Sequence, residues 1–210
     1  MVKVEFDRCN EIEFSSQVGQ DIFVLSVLKG KKNGYFVDLG SHEPTFINNT
    51  YILEKEFNWS GVLIEKDSQY VAKYPSVRNC TYICADACSI NYREKFKEWG
   101  FPKDIDYLSM DLEPPAITFE CLKQLPLDEY RFAVITYEHD VYRANNMLRE
   151  ESRKILDKYG YEIICPDVAW NAPDRDPFED WYVHPDLVDL NNLEKLRTNK
   201  GTLWKEIVFC

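Results

Sequence analysis

The sequence predicts an α/β protein built on an open, mostly parallel sheet. The first ground is a repeated event: a short apolar run that ends in an acid. Tyr35, Phe36 and Val37 end in Asp38; Val62-Leu63-Ile64 in Glu65; Tyr82-Ile83-Cys84-Ala85 in Asp86; Tyr107-Leu108-Ser109-Met110 in Asp111; and Ala133 to Tyr137 in Glu138. The second ground is the spacing of those acids, 27, 21, 25 and 27 residues, close to the length of one strand-helix unit. Parallel strands end on one edge, so five carboxylates are expected to face one crevice, where open α/β sheets bind ligands. The third ground is composition. With 45% hydrophobic residues in 210, the chain has apolar material for a sizeable core and does not read as disordered.

Taken in order, residues 1–13 read as a lead-in or linker, and the chain as one domain that could be a piece of a larger multidomain protein. Ser15 and Ser16 are candidate N-caps. Val18, Ile22, Leu25 and Leu28 then mark one helical face, stopped by Gly30. Gln17, Gln20 and Asp21 lie early on that helix, either solvated or over the ligand. The first strand delivers Asp38 and the flexible Gly40 to a turn-rich loop containing Ser41 and His42. Asn49 and Thr50 there are expected to cap a helix reaching Phe57. Gly61 to Glu65 is the second strand, and Lys66-Asp67-Ser68 opens a short helix. An acid ending the second strand is placed to accept both hydroxyls of a ribose. The third strand ends at Asp86-Ala87, where an adenine ring would lie, and Asn91 to Trp99 reads as a helix closed by Gly100.

Ile105 to Met110 is the fourth strand. Asp111 and Glu113 after it share a side if the chain stays extended, and Pro114-Pro115 is expected to prevent an immediate helix, with Phe119 to Leu125 helical. Arg131 to Tyr137 is the fifth strand, leading to Glu138-His139-Asp140. Arg143 to Tyr159 reads as a surface helix ended by Gly160, Tyr161 to Cys165 as a sixth strand, and Asp180 to Val183 as a seventh. The Trp170 to Pro177 loop reads as a lid, a substrate wall or an ordinary loop. Leu187, Leu190 and Leu193 suggest a last helix, and 199–210 have no assignment.

A net charge of −11 argues against nucleic acid and anionic membrane as main partners. No signal peptide or membrane-length apolar run is present, and the seven cysteines form no Cys-x-x-Cys pair. They read as reduced thiols, and the expected location is cytoplasmic.

Ser16-Gln17-Val18-Gly19-Gln20-Asp21, Val37-Asp38-Leu39-Gly40, Asn49-Thr50, Trp59 to Glu65, Asp106 to Glu113, Glu138-His139-Asp140 and Phe178 to Val183, in this order across residues 14–184, resemble the FkbM-type methyltransferases. The resemblance points most closely to members that methylate sugar hydroxyls, including domains attached to glycosyltransferases in large DNA viruses of algae; for such a viral protein the location would be the host cytoplasm. It implies a class I, Rossmann-like three-layer sandwich with a seven-stranded, mostly parallel sheet, and S-adenosylmethionine as cofactor. The implied activity is O-methylation of a sugar hydroxyl in a glycan or glycoconjugate. The alternative is a non-catalytic domain, binding the cofactor or nothing, fused to a glycosyltransferase. Expected cofactor contacts are Gln20, Asp38, Gly40, Ser41, Asn49, Thr50, Glu65, Lys66, Asp86, Ala87 and Asp111. Glu43-Pro44 and Glu113-Pro114 stand where many relatives have glycine, which stiffens both loops. A nicotinamide dehydrogenase is disfavoured, because Asp38 to Glu43 supplies one glycine of a Gly-x-Gly-x-x-Gly loop.

A sugar hydroxyl is a weak nucleophile until its proton is loosened, and two arrangements suit this chain. In one, His139 is the general base. In the other, Asp111 with Glu138, helped by His139 or Glu113, holds magnesium or manganese. The expected catalytic residues are therefore His139, Asp111 and Glu113, and the expected metal ligands Asp111, Glu138 and His139.

Overall fold

A computed structural model describes residues 13–143 and 146–209, the side chain of residue 192 excepted. All but the last residue of the expected lead-in lies outside the described residues. Seven strands form one sheet: β1 (Tyr35–Leu39), β2 (Ser60–Glu65), β3 (Thr81–Cys84), β4 (Asp104–Met110), β5 (Arg131–Glu138), β6 (Glu162–Ala169) and β7 (Pro177–Val183). Their order is β3-β2-β1-β4-β5-β7-β6. β1 to β5 pair in parallel, while β7 runs antiparallel to both β5 and β6.

The central strands are apolar on both faces because both are covered. Phe36 and Leu63 point into one core, with α1 (Gln20–Val27) and α2 (Tyr51–Phe57). Val37, Leu39, Val62 and Ile64 point into the other, with Tyr92 and Phe96 of α4 (Tyr92–Glu98) and Cys121 of α5 (Pro115–Leu122). Alternate residues along β1 and β2 thus serve opposite layers. The short α3 (Ser68–Val71) is capped by Asp67, whose carboxylate accepts the Gln69 N–H, and α4 is capped in the same way by Asn91. α6 (Asn146–Lys158) buries Arg149, Ser152 and Leu156 along one stripe.

Several expected elements differ. Pro115 does not delay α5 but begins it, since a first helical residue needs no N–H partner. β6 runs four residues beyond Cys165, through register shifts against β7, and β7 starts three residues before Asp180. In place of a helix at Leu187 to Leu193 there are two single 3-10 turns, and α7 (Trp204–Val208) falls in the stretch left unassigned. Trp204, Ile207 and Val208 of α7 join the core beside α1. Ser15 and Ser16 do not cap α1. They hold the buried Asp21 carboxylate, which accepts both of their backbone N–H groups, so Asp21 neither lies in solvent nor over a ligand. The five described cysteines are free thiols; Cys9 and Cys210 lie outside the described residues. Among the described residues no helix is long and apolar enough to cross a membrane.

Candidate active site

The C-terminal ends of β1, β2, β4 and β5 open onto a cleft of about 510 Å³. Its floor is set by one close approach. Gly40 has φ 85°, and a Cβ there would lie 1.7 Å from the Asp111 carbonyl oxygen, so only glycine lets the loops after β1 and β4 touch. The Asp111 N–H donates to the Leu39 carbonyl at 3.0 Å, and the Gly40 N–H to that of Ile64 at 2.9 Å.

Asp38, Gly40, Ser41, Asn49, Glu65, Lys66, Asp86, Ala87, Asp111, Glu113 and Glu138 all line this cleft. Glu65 is held from behind: its carboxylate accepts the His42 N–H at 3.0 Å and the Asp67 N–H at 2.8 Å, one on each oxygen. Each oxygen keeps a further lone pair. Asp86 accepts the Cys88 N–H through Oδ1 at 2.9 Å. Asp38 is buried and accepts the Thr50 hydroxyl at 2.8 Å. Burial pushes its carboxyl up to about 6, with the Thr50 hydrogen bond and the Arg78 charge pulling the other way. Asn49 donates to the Ser109 hydroxyl at 3.0 Å, while its buried Oδ1 has no partner.

Two expected cofactor contacts do not line the cleft. Thr50 stands behind Asp38, spending its hydroxyl proton there and accepting Arg78 Nη2 at 3.1 Å. Gln20 is buried at the start of α1, where its Oε1 accepts the Val18 N–H. Gln17 reaches the cleft instead.

At the other end the carboxyls of Asp111 and Glu138 are neighbours in the cleft wall. Burial holds both above the ordinary carboxylate range, reinforced at Asp111 by the charges of Glu113 and Asp140 and at Glu138 by those of Asp111 and Asp140. Glu179, paired with Glu138 across β5 and β7, is also raised well above its usual value, chiefly by burial. Arg143 closes this end. Its Nε donates to Asp140 Oδ2 at 2.6 Å, its Nη2 donates to Asp140 and Glu113, and Nη2 lies 3.9 Å from Glu138 Oε1. Nothing in the spacing of Arg143 marked it; only the turn after β5 folds it back.

His139 is placed differently from both expectations. Its ring is buried away from the cleft, its Nδ1 accepts the Val141 N–H at 3.2 Å, and its Nε2 lies 3.5 Å from Asp167 and 3.6 Å from Asp180. These acids also bind Arg149 and Arg153 of α6. The reason is the pleat: Glu138 turns toward the cleft, so the next side chain turns toward α6. The expected metal set of Asp111, Glu138 and His139 is therefore not assembled. Oxygens of Glu113, Glu138 and Asp140 do lie within 4.8 Å of one another, but the Arg143 guanidinium bonds to two of these residues and neighbours the third. The residues present do not fit a divalent cation beside that guanidinium.

Five parallel strands, an antiparallel β7 between β5 and β6, and a cleft at the parallel strands' C-terminal edge define the class I, S-adenosylmethionine-dependent methyltransferase fold. Solved structures share it. An rRNA-methylase from Clostridium thermocellum aligns with TM-score 0.54 and 14% identity, covering 82% of this chain and 97% of that one. The Methanococcus jannaschii fibrillarin pre-rRNA processing protein aligns with TM-score 0.51 and 13% identity, covering 86% and 84%. The S. pombe Dnmt2 methyltransferase gives TM-score 0.54 and 16% identity, covering 72% of this chain and 49% of its own. At these identities the likeness is one of fold. No protein-family model matches the chain, and no curated protein matches it.

Proposed function

We propose that the protein transfers a methyl group from S-adenosylmethionine to a sugar hydroxyl in a glycan or glycoconjugate, as its resemblance to FkbM-type enzymes implies, and that residues 1–210, with 1–13 as lead-in, are one methyltransferase domain. The observation that carries this reading is the pairing of two seats across one cleft: Glu65, fixed by two backbone N–H groups, and the neighbouring carboxyls of Asp111 and Glu138. The cleft fits the cofactor on its own terms. Glu65 has lone pairs left for two ribose hydroxyls, the unpartnered Asn49 Oδ1 and the buried Asp38 suit an ammonium, and Asp86 suits an adenine amino group. The loop contact at Gly40 fixes the loops after β1 and β4 against each other beside these groups.

The cofactor supplies an activated methyl carbon on a sulfonium, so the protein's task is mainly alignment and removal of one proton. Asp111, held up to about 7, takes the acceptor hydroxyl's proton as the new O–C bond forms and the methyl carbon leaves sulfur, and releases that proton to solvent after turnover. A carboxylate whose affinity for protons lies near working pH is suited to that role. Arg143 offsets the negative charge of Glu113 and Asp140 and ties together the loops after β4 and β5. Glu113 thus acts through Arg143, and His139 holds the turn that carries Asp140 and Arg143. The RNA named for some structural neighbours suits this chain poorly, given its net charge of −11.

Calorimetric titration of S-adenosylmethionine into wild type and Glu65→Ala, followed by mass spectrometry of glycans incubated with the protein and cofactor, tests the reading. Saturable binding abolished by Glu65→Ala and a methylated glycan are expected. Absence of cofactor binding by wild type would refute the assignment and favour a scaffold domain.

A further inference from the structure

Two large aromatic side chains stand at the mouth of the cleft without the burial that usually justifies them. Tyr142 and Trp170 are each 40% exposed, and both line the cleft that holds Asp111 and Glu138. Their ring centroids lie 6.4 Å apart at 41°. They arrive from different elements, Tyr142 in the turn after β5 and Trp170 directly after β6. The loop that carries Trp170 is braced: Asn171 Nδ2 donates to Asp176, the Asp176 N–H returns to Asn171 Oδ1 at 3.0 Å, and Arg175 pairs with Glu206 of α7 at 2.8 Å. On the other side, the Arg143 guanidinium lies over the Tyr142 ring at 5.7 Å. The aromatic pair is therefore held in place rather than left as a loose tip, and held exposed apolar surface marks a binding face.

The charge around this pair narrows what can bind. Seven acids and two cations, Lys66 and Arg143, line the cleft. Neither cation is idle: Lys66 Nζ donates to the Glu113 carbonyl at 3.1 Å, and Arg143 bonds Glu113 and Asp140. A phosphorylated acceptor would enter a cleft whose carboxylates outnumber its cations and whose two cations are already occupied. A neutral ring with an apolar C–H face and several hydroxyls would stack on the aromatics and donate to the acids.

We propose that Tyr142 and Trp170 form the acceptor subsite and select an uncharged pyranose over phosphorylated sugars and nucleic acid. This rests on the methyltransferase reading above and names the substrate class of its acceptor end.

The experiment uses labelled S-adenosylmethionine with three probe sets: methyl glycosides of neutral hexoses and 6-deoxyhexoses, the matching sugar phosphates, and a single-stranded RNA oligonucleotide. Wild type, Trp170→Ala, Trp170→Phe and Tyr142→Ala are compared, with cofactor binding by calorimetry as the control that separates this inference from the reading beneath it. Transfer to neutral glycosides is expected. Acceptor KM should rise on the order of tenfold in Trp170→Ala and Tyr142→Ala, be largely restored in Trp170→Phe, and leave the cofactor Kd within about twofold of wild type. Intrinsic fluorescence of wild type should also change on adding the neutral probe that turns over, and change less in Trp170→Ala. Three results would overturn the proposal while leaving methyl transfer standing: unchanged acceptor KM in both alanine variants, preferred transfer to sugar phosphate or RNA, or cofactor binding with neither turnover nor binding of any neutral glycoside.

Discussion

Replacing Asp38 by asparagine should make the unliganded protein more stable and the site less useful, in a way that depends on pH with a definite sign. The Asp38 carboxyl is buried, and burial raises it from the ordinary 3.8 to about 6. Because the folded-state value is the higher one, the folded chain binds the proton more tightly than the unfolded chain. The contribution is favourable below 3.8 and is lost as pH rises toward about 6. Above that the folded protein carries a penalty of about two pKa units, roughly 3 kcal/mol at about 1.4 kcal/mol per unit. Asparagine keeps an oxygen for the Thr50 hydroxyl and removes the titration. In thermal unfolding without cofactor, the melting temperature of Asp38→Asn relative to wild type should climb by about 6–12 °C between pH 4 and pH 8, using about 2–4 °C per kcal/mol for a chain of this size. Any fixed cost of the amide shifts every point equally, so the slope is the test. A pH-independent difference, or one that falls with pH, would refute the argument that Asp38 is a buried, cofactor-awaiting charge. S-adenosylmethionine affinity should drop in the same variant by about tenfold or more, read by calorimetry.

Gly40→Ala combines a positive φ with a Cβ 1.7 Å from the Asp111 carbonyl oxygen. The loops must part, and we expect a loss of at least about 2 kcal/mol by chemical denaturation together with weakened cofactor binding. An unchanged denaturation midpoint would show that the loops do not touch as described. His139→Ala should cost about 2–4 kcal/mol, because it leaves a cavity and frees the Val141 N–H, and should reduce turnover while leaving the cofactor Kd unchanged. Full stability with complete loss of turnover would instead return His139 to the reacting atoms.

The parallel half of the fold was legible because each strand announces itself twice, by an apolar run and by a terminal acid. Val37-Asp38, Ile64-Glu65, Met110-Asp111 and Tyr137-Glu138 all end where the periodicity puts them, on one edge. The antiparallel part was less clear. β7 begins at Pro177 and β6 passes through Pro166 and Asp167 with shifted register, so neither keeps a clean period of two. His139 was misplaced for a related reason. Whether a residue just past a strand faces the ligand depends on one more step of pleat, and here both the His139 and Asp140 N–H groups turn to the Phe178 carbonyl of β7. Arg143 had no sequence signal, since its role arises from a turn that brings it back over Glu113. Trp170 had a partial one, an aromatic in a proline-containing loop, which left a lid, a substrate wall and an ordinary loop open.

The position of β7 between β5 and the edge strand β6 makes residues 170–176 a hairpin connection at the margin of the sheet. Lengthening such a connection costs little, about 0.6 kcal/mol for each doubling of a flexible loop. The residues that would grip the cofactor lie on the far side, in loops after β1 to β3. The architecture thus behaves like a tool with an exchangeable head: grafting a different 170–176 segment should change which acceptor is admitted while the handle, and its hold on the methyl donor, stays as it is.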